Sequence, residues 1–103
     1  MINNFNSLLA KHIFNGIIDN TSRKLSLDLH FDAQHILDVI NAATNITTLH
    51  ALSNASFEKM YGEYHGCWAM RINKKWCVIF RWKDAGASDV DVIKYAKENV
   101  CYL

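Results

Sequence analysis

Proline is absent from the 103 residues, and glycine occurs only four times. No helix interior is interrupted by a proline ring, and turns must be built largely from Asn, Asp and Ser. Cysteine occurs three times, at Cys67, Cys77 and Cys101, with no CxxC spacing. An odd, scattered set excludes a disulfide framework and points to reduced thiols. His12, His30, His35, His50 and His65 lack metal-ligand spacing, so neither a metal nor a cofactor is expected. No apolar run approaches the roughly 20 residues that span a bilayer, and the start does not resemble a signal peptide. The expectation is a cytoplasmic protein without a membrane partner.

What is present is a chain that folds. Half of its residues are apolar and 20% are charged, which suits one domain over residues 1–103, with 97–103 as a tail. Its organising stretch is WAMRINKKWCVIFRW, from Trp68 to Trp82. In steps of two, Trp68, Met70, Ile72, Trp76, Val78, Phe80 and Trp82 share one face. Ala69, Arg71, Cys77, Ile79 and Arg81 share the other, the period-2 signature of two half-buried strands. A loop of Asn73, Lys74 and Lys75 pairs Ile72 with Trp76, Met70 with Val78 and Trp68 with Phe80. The second face is expected to be wet, with Arg71 opposite Cys77 and Arg81 beyond. From Lys59 to Lys83, six basic residues stand against one acidic residue, Glu63. Such an excess fits a polyanion such as RNA and equally a lysine-protected sheet edge.

Elsewhere the pattern is helical. Residues 7–14 have helical spacing and end at Asn15-Gly16. Residues 17–27 are irregular, with turn chemistry at Asp19 to Ser22. Leu29, Ala33, Ile36, Ile40 and Ala43 draw one apolar stripe over a helix from about Asp28 to Thr44. Residues 46–57 read as a loop with one helical turn. Phe57 to Met60 reads as the start of a strand, Lys83 to Ser88 as a turn, and Asp89 to Tyr95 as a further strand. The architecture expected is α+β: two N-terminal helices packed on a twisted antiparallel sheet of three to four strands.

The order of several pieces resembles the HigB-like branch of the RelE toxin superfamily of bacterial toxin–antitoxin modules. These pieces are INAATNITTL at Ile40 to Leu49, FEKMYG at Phe57 to Gly62, then Gly66 and the hairpin WAMRINKKW. IFRW, Asp84-Ala85-Gly86 and VDVIKY at Val90 to Tyr95 follow. The resemblance implies a RelE-like fold and a ribosome-dependent endoribonuclease that cuts mRNA. It also implies a helix-turn-helix antitoxin as partner, with operator DNA reached only through that antitoxin. Cleavage by attack of a ribose 2′-OH on the neighbouring phosphate needs a base, cationic groups and an acid. Carried onto this chain, the catalytic candidates are Tyr95, Lys94, Arg71 and Arg81. Lys74, Lys75, Asn73, Tyr61 and Tyr64 are the RNA-binding candidates.

The chain departs from the family pattern where the chemistry sits. Cys77 follows the second hairpin Trp where the family usually has Arg. Lys94, Tyr95 and Ala96 replace an Asp-Tyr-His triplet, and Tyr61 and Tyr64 stand at positions that are often basic. Two readings remain open: an active toxin with a rearranged set, and a catalytically degenerate protein that binds antitoxin or RNA. A strand-end tyrosine that packs its ring, arginines on a solvated face and surface lysines would account for the same residues.

Overall fold

The computed structural model describes residues 1–18, 26–53 and 57–94. Its elements are α1 (Leu8–Phe14), α2 (Leu27–Ala42), α3 (Ile46–Ser53), β1 (Phe57–Lys59), β2 (Trp68–Arg71), β3 (Trp76–Lys83) and β4 (Gly86–Lys94). The strands form an antiparallel meander in the order β1-β2-β3-β4, with the helices against one face.

Each helix starts on a side-chain cap. Ser7 Oγ accepts from Ala10 N, and Ser26 Oγ accepts from Leu29 N. Asp28 lies in the first turn of α2, where the helix dipole favours an anion. The expected stripe of α2 is buried at Leu29, Ala33, Ile40 and Ala43, and Leu37 and His30 join it. The stretch read as a loop with one turn is instead the eight-residue helix α3. Asn45 Oδ1 accepts from Thr48 N at 2.8 Å, and Leu49 is fully buried. A cap and one anchored leucine outweigh the weak helix propensity of the two threonines.

The hairpin register is the expected one, pairing Trp68 with Phe80 and Met70 with Val78. Ile72 N donates to Trp76 O at 2.9 Å, and Asn73 Oδ1 accepts from Lys75 N and Trp76 N. Asn73 is thus the residue that closes the loop. Met70, Val78 and Phe80 are buried against the helices, with Trp68, Ile72, Trp76 and Trp82 packed around them. Complete burial of a side chain such as Phe80 or Leu37 contributes about 1.5–3 kcal/mol.

The β3–β4 connection is tighter than the expected turn. Only Asp84 and Ala85 lie between the strands, with φ of 54° and 58°. Positive φ at both central positions is the type I′ geometry that matches strand twist. The first residues of the chain run parallel along β4: Asn3 N donates to Ala87 O and Asn6 N to Val90 O, each at 2.7 Å. A side chain at Gly86 would meet Met1 O at 2.6 Å, so glycine permits this approach. The N-terminal segment, five residues of ambiguous pattern, thereby covers an otherwise open sheet edge.

Candidate nucleic-acid interface

Directly paired residues of a sheet project to the same side. Glu58 pairs with Ala69, Arg71 with Cys77 and Ile79 with Asp91, which places all six on the face away from the helices. The expectation of a wet face is corrected at its centre. Ala69, Cys77 and Ile79 are buried there with Met60 and Cys67, and Tyr64 and Ile93 pack against them. Met60 N donates to Cys67 O at 2.9 Å, and this bond ties the β1–β2 connection so that both side chains reach the patch. Burial, more than the nearby Glu58, pushes the Cys77 thiol up to about 12, while Arg71 opposes the shift. Burial likewise raises the Cys67 thiol. Neither is a thiolate nucleophile at neutral pH.

The two arginines border this patch. Arg71 Nη1 lies 3.8 Å from Glu58 Oε1, and Arg81 Nε lies 3.9 Å from Asp89 Oδ2. The Arg81 pair, long and accessible on both sides, is worth at most about 1 kcal/mol, whereas Arg71 is the more enclosed, with Nε buried and Glu58 only 19% exposed. Arg81 is the more closely directed. Its Nη1 donates to His65 O at 3.2 Å, and a Cβ on Gly66 would come within 2.5 Å of the same atom. Gly66, at φ 90°, leaves the notch in which the guanidinium rests.

Asp89 is held from behind. Register shifts between Ile79 and Arg81, where the pairing steps from Asp91 to Ser88, so β4 carries one extra residue. Asp89 within that bulge has φ 52°. Asn4 braces it twice, Nδ2 donating to Asp89 Oδ1 at 2.9 Å and Oδ1 accepting from Asp89 N at 3.1 Å. The N-terminal segment, the bulge and the Gly66 notch together set where Arg81 points. Neither Asn4 nor Asp89 carries a local sequence signal for this role, because the contact joins residues 85 positions apart.

The remaining candidates are dispersed. Lys94 is exposed at the end of β4 and pairs with Trp76, which puts it on the helix-bearing side, across the sheet from Arg71 and Arg81. Tyr95 lies outside the described residues. Lys74 and Lys75 are exposed at the hairpin tip. Tyr61 is half-buried with its ring 5.9 Å from that of His65, and half-buried Tyr64 packs on the second cluster. Among the described residues, no three His, Cys, Asp or Glu side chains gather as a metal site, and no helix is long and apolar enough to cross a membrane.

Residues 4–94 match the model of a protein family described as the RelE-like toxin of the type II toxin–antitoxin system HigB. The chain is a member of that family. The match runs from the residue that braces Asp89 to the last residue of β4, so it spans every element of the sheet. No curated protein matches the chain. Membership gives this HigB-like chain a toxin's role in a type II module, and with it a cognate antitoxin as partner.

Proposed function

We propose that this HigB-like protein is an mRNA endoribonuclease that acts on the ribosome, inhibits translation and is neutralised by its antitoxin. The observation that carries the reading is the pair Arg71 and Arg81 on one sheet face, beside the exposed Lys74 and Lys75 of the hairpin. Guanidinium groups can neutralise the charge that develops on a phosphate attacked by a 2′-OH. Lysines at the tip supply sequence-independent attraction to an RNA backbone. Tyr95, next in sequence to Lys94, is the residue assigned to proton transfer, and Lys94 on the other side of the sheet is the weaker candidate.

A second reading has its own observation. Cys77 occupies the usual arginine position and is completely buried with its thiol neutral, so it contributes no charge to a substrate. A HigB-like protein without cleavage would then act by binding its antitoxin, and operator DNA through it.

Inducible expression without antitoxin, read as growth together with 5′-end mapping of mRNA, separates the two. Growth arrest with new cuts in coding sequence is the expected result. Arg71→Ala and Arg81→Ala should each slow cleavage by about 10²–10³-fold, the scale of one lost transition-state donor. Tyr95→Phe should abolish it. Normal growth with folded, soluble protein would establish the non-cleaving reading, and intact cleavage by Tyr95→Phe would remove that hydroxyl from the mechanism.

A further inference from the structure

Helix α2 carries charge of the opposite sign to the hairpin tip. Over its sixteen residues α2 has Asp28, Asp32 and Asp38 and neither Lys nor Arg. All three aspartates are exposed, and none forms an ion pair among the described residues. Next to Asp28 and Asp32 the helix exposes Leu27 and Phe31, each at 55%. Leu27 and Phe31 are one turn apart, as are Asp28 and Asp32, so the four make a compact block on the first two turns. Ile17 and Ile18 are exposed where the chain leaves α1. That end of α1 meets α2 at mid-length, with Gln34 Nε2 donating to Phe14 O at 3.4 Å.

Single exposed apolar residues are ordinary on a protein surface. A half-exposed phenylalanine with an adjacent leucine, rimmed by unpaired charges of one sign, has the composition of a docking site with a central aromatic anchor. We infer that this face of α2 receives a basic, amphipathic segment of the cognate antitoxin, its apolar side chains on Leu27 and Phe31 and its cations on Asp28 and Asp32. The partner rests on family membership, and its chemistry on the charge of the face. Such a segment is repelled by Lys74 and Lys75 at the hairpin tip, so charge favours α2 over the tip as its docking place. An acidic segment would choose the reverse.

The test is binding of the antitoxin encoded in the same operon to the cell-free-synthesised chain, measured calorimetrically over a range of salt. Phe31→Ser should weaken binding at least tenfold. Asp28→Lys with Asp32→Lys should do the same and flatten its salt dependence. Lys74→Glu with Lys75→Glu should leave affinity unchanged. All these positions are exposed, and melting curves followed by circular dichroism confirm that each variant folds. Wild-type affinity in both α2 variants, loss of binding in the hairpin variant alone, or no binding by the wild-type chain would overturn the inference. Since binding is read without cleavage, failure here leaves the ribonuclease proposal standing, and failure of that proposal leaves this measurement intact.

Discussion

Individual residues of this chain are held in places that work against their own chemistry. His30 is 2% exposed and neither ring nitrogen has a hydrogen-bond partner among the described residues. An unsatisfied buried polar group costs about 1–3 kcal/mol, so His30→Met, similar in volume, should raise the denaturation midpoint. A melt no higher than that of the parent would mean that the polar group is satisfied in solution. Ala85 occupies a left-handed position that suits glycine, at about 1–2 kcal/mol for an L-residue. Ala85→Gly should therefore stabilise by about 1 kcal/mol in urea unfolding. Cys77 gives a pH signature. Its thiol is raised from an ordinary value of 9.0 to about 12 in the fold, so the native state retains a proton that the unfolded chain releases. The associated stability is present below pH 9 and is lost as pH climbs toward 12. Cys77→Ala should show a shallower decline over that interval than the parent, read from urea unfolding at several pH values.

At the scale of elements, a bulge and a notch aim one side chain. The extra residue of β4 places Asp89 beside Arg81, while Gly66 clears the space the guanidinium fills. Gly66→Ala should displace Arg81, because the new methyl would collide with Nη1. The variant should lose cleavage with Arg81→Ala while its far-ultraviolet spectrum stays native. The hairpin was legible because alternation, loop length and burial all require one register, and a slip by one would expose Met70, Val78 and Phe80. Helix α3 was not legible. Its stability lies in the buried Leu49 and the Asn45 cap, which a reading of threonine-rich sequence undervalues. The β3–β4 turn was misjudged for a related reason: Asp84-Ala85 lacks the usual glycine at its second position, so strand extension through Lys83 and Gly86 had no local mark.

For the molecule as a whole, charge is uneven: α2 carries three aspartates and no Lys or Arg, while the hairpin tip carries Lys74 and Lys75. Lys74→Glu with Lys75→Glu should leave stability within about 0.5 kcal/mol, as exposed substitutions do, yet relieve growth inhibition. Undiminished toxicity would place the ribosome contact elsewhere. The sequence by itself determined the hairpin and the amphipathic α2, because each follows from spacing along neighbouring residues, and it pointed to the family through the order of pieces from Ile40 to Tyr95. Only the tertiary structure decided that Lys94 stands across the sheet from Arg71 and Arg81. It alone closed the centre of the supposedly wet face over Cys77 and braced Asp89 with Asn4. Those outcomes depend on strand pairing and on contacts between distant segments, and side chains far apart in the chain acquire a common side only when the sheet is assembled.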